Sequence, residues 1–463
     1  MASKQHESIS PFFLTWDDML LITGKLKTGK RTNSGLTAEH ILHGSPKLIV
    51  HFHLLFNTLL LHGFVPTSFL EGTISPTVKN SSGNLNSVEN YRGITLCSVI
   101  SHMFENALRL KFGEFLHSDE LQLGFKPKHS TSHAVYALKS CVNYFTRRDS
   151  NVFVAFLDFS KAFDTISHCG LFLKLMERNV PFCFLMTIMF WYLNMKYDVK
   201  WSNVRSDSFP VRCGTKQGGI LSPDFFAIYI NDLIIDLRNT GVGCHIINRF
   251  IACILFADDV TVMAPTRGAL QMLLNVCASY CSRFCLKFNV GKTKIMVFGK
   301  LNRSLSSIAK INLNGINIDY VSNCRYLGFY IIAGTSFSIS VDEDLKSFFG
   351  SVNAILTSVR QPKENILIQL LYSNCVPKLT YGAAVKDLNS SEKQQYNVAV
   401  NNAVRRIFRF RYWQSIRQIR QFYGFESIET MFAKAKTRFF KVLSINGNSI
   451  LQFLSTLETF VVE

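Results

Sequence analysis

The sequence has no C-x-x-C pair among its twelve cysteines, which removes zinc ribbons and thioredoxin-like redox motifs from consideration. The thiols follow no pairing pattern, and unpaired cysteine fits a reducing intracellular compartment. Cys277, Cys281 and Cys285 recur every four residues, as on one helix face, and are expected as buried free thiols. Long hydrophobic runs are missing too. The longest, around Leu54–Leu61 and Val180–Leu193, fall short of a membrane span and read as buried helices. The first residues, with Lys4, His6 and Glu7, lack the charged-then-apolar order of a secretory leader. The expectation is therefore an intracellular protein, nuclear or cytoplasmic, with no membrane partner. Acids are scarce: 32 Asp and Glu stand against 50 Lys and Arg, a formal net charge of +18. Such an excess points to a polyanion, and nucleic acid comes first.

What the chain has is apolar bulk. Hydrophobic residues make up 48% of its 463 positions, with forty Phe, enough for two or three subdomains around large-ring cores. Basic charge collects late. From Lys346 to Lys441 sixteen Lys and Arg face five Asp and Glu. Three blocks are expected. The first, to about residue 150, holds helices and two polar loops, Lys25–Gly35 and Lys79–Asn90. The second, 151–335, alternates short β-rich runs with helical patterns, as in an α+β core. The third, 336–463, reads as helices with basic faces, including Asn401–Phe410 and Gln414–Tyr423.

Three segments carry chemistry. Cys253-Ile-Leu-Phe-Ala-Asp-Asp-Val-Thr-Val-Met263 has an apolar run on each side of two adjacent acids, the pattern of a β-hairpin with the acids at its turn. Adjacent carboxylates repel and resist ionising together unless a cation offsets them, although a solvent-facing Asp-Asp turn reads equally well from this stretch alone. In Val152-Phe-Val-Ala-Phe-Leu-Asp-Phe-Ser-Lys-Ala-Phe-Asp164, six apolar residues form a buried strand ending at Asp158, with a helix expected through Ser160–Asp164. Asp158 alone could also be a helix N-cap, and Asp164 is expected to be structural. Divalent Mg²⁺ takes hard oxygen ligands, and two ions about 4 Å apart can activate a 3′-hydroxyl and stabilise a leaving pyrophosphate. Asp158, Asp258 and the Phe159 carbonyl would supply ligands, with Asp259 beside them. In Arg212-Cys-Gly-Thr-Lys-Gln-Gly-Gly-Ile-Leu-Ser-Pro-Asp224, glycines permit close backbone approach to a ligand, and Ser222-Pro223 opens a helix.

The combination resembles the reverse transcriptases of non-LTR (LINE-like) retrotransposons. Phe-x-Asp-x-x-Lys-Ala-Phe-Asp at 156–164, Gln-Gly-Gly-Ile-Leu-Ser-Pro at 217–223 and Phe-Ala-Asp-Asp at 256–259 are similar to that family's palm. Tyr91-Arg-Gly-Ile-Thr-Leu96 resembles its finger motif, with Gly93 where Pro is usual. Gln122-Leu-Gly-Phe-Lys-Pro-Lys-His-Ser-Thr131, Phe288-Asn-Val-Gly-Lys-Thr-Lys294 and Tyr326-Leu-Gly328 match further segments. Seven motifs in one order, between Lys25 and Tyr381, make coincidence negligible.

The resemblance implies an α+β right-hand polymerase. Residues 1–150 would form fingers and the start of the palm, 151–335 the palm, and 336–463 a basic helical thumb. It implies an RNA-directed DNA polymerase that uses an RNA template, a DNA primer, dNTPs and two Mg²⁺ ions, with Mn²⁺ as substitute. Asp158, Asp258 and Asp259 match the catalytic, metal-binding carboxylates, and Lys292 matches the general acid for the pyrophosphate. Phe163 matches the steric gate against a ribose 2′-hydroxyl. Phe159, Gln217 and Gly218 would contact the nucleotide, and Arg92 and Lys79 its triphosphate. Arg405, Arg406, Arg409 and Arg411, interleaved with Phe408, Phe410, Tyr412 and Trp413, would hold the template–primer duplex. Two departures qualify the match. Ser34 stands where the family shows Asp, and the first motif begins too early for an upstream endonuclease. The expectation is a polymerase module or truncated copy, with endonuclease supplied in trans. The rival readings are a catalytically silent, polymerase-derived RNA-binding protein and a group II intron maturase-like protein.

Overall fold

The computed structural model describes residues 13–30, 32–33, 35–300, 308–358 and 363–459. Ser34 and the Lys4, His6 and Glu7 stretch lie outside them. The chain mixes helices and sheets in two compact units that interleave along the sequence. One gathers residues 1–119, 159–235 and 279–288, and the other gathers 120–158, 236–278 and 289–463. No described helix is long and apolar enough to cross a membrane.

In the first unit, strand Glu71–Val78 pairs antiparallel with Tyr91–Leu96 and parallel with Lys196–Trp201. These strands had not been expected in the opening block, because their Thr, Ser, Gly and Pro content hides the alternation that marks a strand. The forty Phe account for the core. Phe104 lies 5.1 Å from Phe56, 6.0 Å from Phe69 and 5.9 Å from Trp191, whose indole N–H donates to the Phe69 carbonyl at 2.9 Å. The two apolar runs are indeed helices, Pro46–His62 and Phe182–Asn194. Each buries only one face, leaving Leu61 and Phe182 exposed.

The second unit is built on a five-stranded sheet in the order Asp319–Tyr320, Lys294–Phe298, Val152–Asp158, Asp259–Ala264, Cys253–Phe256. Val152–Asp158 is central, and its six leading residues are all buried, which is why that run is continuously apolar. The helix Thr131–Thr146 is buried over ten consecutive residues.

The C-terminal helices pack Phe348, Leu371, Leu379, Val404 and Phe432 into a core of their own. Val376 N–H reaches back five residues to Leu371 O, a π-turn next to Pro377, which lacks an N–H to continue the regular ladder. Helix boundaries differ from expectation: the helices are Ser390–Ile407 and Arg417–Tyr423, so Arg409–Trp413 sits in the turn between them. The thiols also differ. Cys277 and Cys281 are buried, but the helix ends at Arg283, and Cys285 is exposed in a left-handed conformation.

One charged group crosses this apolar core. The Lys386 ammonium, 1% exposed, meets Asp344 at 2.5 Å, and Tyr396 donates to the same carboxylate. Burial draws Lys386 below its ordinary value, and Asp344 opposes that shift. Asp344→Ala would strand a buried ammonium, so urea unfolding should record a loss of about 3–5 kcal/mol. The paired change Asp344→Leu with Lys386→Met should lose much less.

Candidate active site

Asp158 ends the central buried strand and is itself half-buried. Antiparallel pairing places Asp259 directly opposite Asp158. Cross-strand partners project from the same face of a sheet, so two carboxylates stand side by side. Asp258 precedes Asp259 in the two-residue turn Ala257-Asp258 that closes the hairpin. Ala257 opens that turn with φ +58°, a left-handed conformation that costs an L-residue about 1–2 kcal/mol.

Burial, then the charges of Asp258 and Asp158, raises the Asp259 carboxyl from 3.8 to about 6. Asp259 therefore feels both other acids, and concentrated negative charge in a half-buried place favours a hard cation. Among the described residues, no three acidic, histidine or cysteine groups gather as a self-sufficient ion site. The donor set still fits Mg²⁺, which characteristically takes one or two carboxylates and completes its shell with phosphate oxygens and water.

Lys292 lies beside this group. Its ammonium is 3.4 Å from Asp158 and its side chain is largely exposed, so the pair is weak. Asn289 sets its place. The Asn289 N–H donates to the Asp158 carbonyl at 2.7 Å, and its own carbonyl accepts from the Lys292 N–H at 3.1 Å.

The candidate nucleotide contacts belong to the first unit. Buried Phe159 stacks on Phe288 at 4.4 Å. The ladder bonds flanking it come from Asp158 and Ser160, so its own carbonyl is not used in that bridge. The helix expected after Asp158 is only the short 3₁₀ turn Ala162–Asp164. Phe163 sits in it, half-buried, with its ring 4.8 Å from Phe226.

The glycine loop docks on this turn through Thr215 N–H to Phe163 O and Gly214 N–H to Ile166 O, both at 2.7 Å. Gly214 has φ +88°, and a Cβ there would come within 2.9 Å of Asp164. Gln217 donates its amide to Asp164 at 2.7 Å, so the acid expected to be structural orients a candidate nucleotide contact. On the loop's other flank, Thr95 N–H donates to the Gln217 carbonyl at 2.8 Å, and Gly218 is exposed. Arg92 is exposed on the neighbouring strand. Lys79 is also exposed, and its ammonium closes its own loop by donating to the Glu89 carbonyl at 2.9 Å.

One pair escaped sequence reasoning. Lys216, 2% exposed, binds Glu105 at 2.9 Å and lies 3.6 Å from the centre of the Trp191 ring. Glu105 also accepts the Ile220 N–H, so it holds both sides of Gln217-Gly218-Gly219. Burial alone would raise Glu105, but Lys216, His102 and these hydrogen bonds carry it below its ordinary value. The only signal was a lone acid among the apolar residues of helix Val99–Phe112.

Of the four basic residues expected to grip nucleic acid, Arg405 is half-buried and donates to the Gln414 carbonyl and to Asn402. Arg406, Arg409 and Arg411 are exposed, as are Tyr412 and Trp413. Arg405 also lines a groove with Asn401, Arg417 and Arg420, two arginines that sequence reasoning had not singled out.

Comparison with known proteins adds a family. Residues 78–331 match the family described as "Reverse transcriptase (RNA-dependent DNA polymerase)". The chain is 23% identical over 329 residues to the RNA-directed DNA polymerase from mobile element jockey of Drosophila funebris, covering 68% of this chain and 35% of that protein. It is 24% identical over 380 residues to the probable RNA-directed DNA polymerase from transposon BS of Drosophila melanogaster, covering 78% and 41%. It thus spans about a third to two-fifths of the length of these curated relatives. Among solved structures, telomerase from Candida albicans with a fragment of telomeric RNA aligns at a TM-score of 0.43 and 13% identity, covering 74% of this chain and 60% of that one.

The raised Asp259 carboxyl makes a pH-dependent prediction. A carboxyl whose folded value exceeds its unfolded value stabilises the protein below about pH 4 and loses that contribution as pH rises through about 6. In metal-free buffer, Asp259→Asn should melt above the wild type at pH 8. The gap should shrink through pH 6 and vanish near pH 4, as read by calorimetry.

Proposed function

This chain belongs to the reverse transcriptase (RNA-dependent DNA polymerase) family, of the kind carried by non-LTR retrotransposons, and we propose that it extends a primer 3′-hydroxyl with dNTPs on an RNA template. The observation that carries this reading is Asp158 facing Asp259 across the end of a buried sheet, with Asp258 in the adjoining turn.

Asp158, Asp258 and Asp259 would hold divalent magnesium, joined by the carbonyl of Phe159, the next residue along the chain. Bound there, the metal supplies Lewis acidity toward the attacking 3′-oxygen and the departing pyrophosphate. Manganese has the same charge and oxygen preference and would substitute. The rigid strand keeps the carboxylates oriented without reorganisation during reaction. Lys292, an exposed ammonium beside Asp158, would give a proton to the pyrophosphate as it leaves.

The remaining roles follow the family pattern residue by residue. Phe163 excludes a 2′-hydroxyl, its ring braced by Phe226. Gln217 and Gly218 meet the incoming nucleotide, and Arg92 and Lys79 its phosphates. Arg405, Arg406, Arg409 and Arg411 contact the duplex backbone. In this reading residues 1–150 serve as fingers and the start of the palm, 151–335 as palm and 336–463 as thumb. The second reading, a silent RNA-binding protein, has the exposed basic and aromatic turn Arg409–Trp413 in its favour, but it gives the carboxylates no task.

Primer extension on an RNA template with Mg²⁺ and dNTPs tests the proposal. Asp258→Ala should cut extension at least about a hundredfold while leaving duplex binding in place. Wild-type protein that folds and binds duplex yet extends nothing would favour the binding-protein reading. Phe163→Ala should raise ribonucleotide incorporation relative to dNTPs. An unchanged ratio removes the gate assignment.

A further inference from the structure

The turn that presents Asp258 is held from outside the hairpin. Gln122 is 1% exposed, and its side-chain carbonyl accepts from the Ala257 N–H at 3.1 Å and from the Gly124 N–H at 2.9 Å. Its amide nitrogen lies 3.4 Å from the Ala257 carbonyl oxygen. One side chain therefore brackets both polar groups of the residue whose φ of +58° is disfavoured for alanine.

The backbone around Gln122 fixes the same place. Leu123 N–H donates to Leu255 O at 2.7 Å, and Leu255 N–H donates to Leu121 O at 2.9 Å, a parallel bridge along the hairpin's outer strand. Gly124 completes the contact. A Cβ there would lie 2.2 Å from the Ala257 nitrogen and 2.9 Å from the Phe256 carbonyl carbon, both backbone atoms with no room to yield.

We propose that Gln122 and Gly124 are positioning residues that clamp Ala257 in its left-handed conformation and thereby aim the Asp258 carboxylate. The reason is geometric. Asp258 follows Ala257 directly, so rotation at Ala257 swings the Asp258 Cα–Cβ direction. A two-residue hairpin usually solves this with glycine at the first turn position. Here alanine occupies it, narrowing the accessible backbone, and the buried amide selects the one conformation in use. Neither residue touches the reacting atoms in this proposal, which rests on Asp258 being a metal ligand.

The test uses the full chain and two readouts, Mn²⁺ binding by electron paramagnetic resonance and steady-state primer extension. Gln122→Met keeps the volume and removes the amide. It should weaken Mn²⁺ binding and lower kcat by about tenfold or more, with KM for dNTP within about twofold, as expected when positioning rather than nucleotide binding is lost. Ala257→Gly accepts the left-handed conformation without help, so Gln122→Met with Ala257→Gly should recover at least a third of both signals. A merely structural role would not produce that rescue.

Mn²⁺ binding and kcat within twofold of wild type in Gln122→Met overturn the clamp, as does a folded double variant that stays as impaired as the single one. Should Gln122→Met fail to fold, the double variant should fold and bind Mn²⁺, and its failure to do so overturns the clamp. Asp258→Ala is run alongside. If it retains full extension, the reading of the site falls. If it loses extension while Gln122→Met keeps it, only the clamp falls.

Discussion

Asp158 and Asp259 are like charges held face to face, and much of the second unit exists to make that tolerable. A flexible chain would let them part. The central strand has no such freedom, because all six residues before Asp158 are buried and Phe153–Phe156 are paired on both sides. Burial first, and then the charges of Asp258 and Asp158, leave Asp259 a carboxyl that resists ionising. A divalent cation would relieve the same stress.

The first unit uses a different device for a similar end. Its glycine loop has little side-chain bulk with which to pack, so it is fixed by bonds to its backbone and flanks: Phe163 and Ile166 on one side, Thr95 on the other, Glu105 and Lys216 beneath. Burying that ion pair is costly, but Trp191 and the Ile220 N–H complete its surroundings. The result is a rigid loop that leaves Gly218 open. The C-terminal helices repeat the pattern with Lys386, Asp344 and Tyr396 inside an otherwise apolar core.

The central strand and the acidic hairpin could be read from the chain because each is local. Six apolar residues in a row or two acids between apolar runs leave few backbone solutions. The strands Glu71–Val78 and Tyr91–Leu96 were missed because pairing, not side-chain pattern, makes them strands. The helix expected to run on to Phe410 stops at Ile407, because Arg409 adopts a φ of +55° that its residue type does not announce.

By itself the sequence determined the family and the α+β class and singled out the three acids as candidates, since these depend on residue types at short, fixed spacing. Only the tertiary structure decided that Asp259 stands opposite Asp158, that Asp164 orients Gln217, that Glu105 reaches Lys216 across 111 positions, and that Gln122 grips Ala257 across 135. Such contacts depend on where distant backbone segments meet. Nothing in the local pattern of either partner encodes that distance, so only the folded chain discloses it.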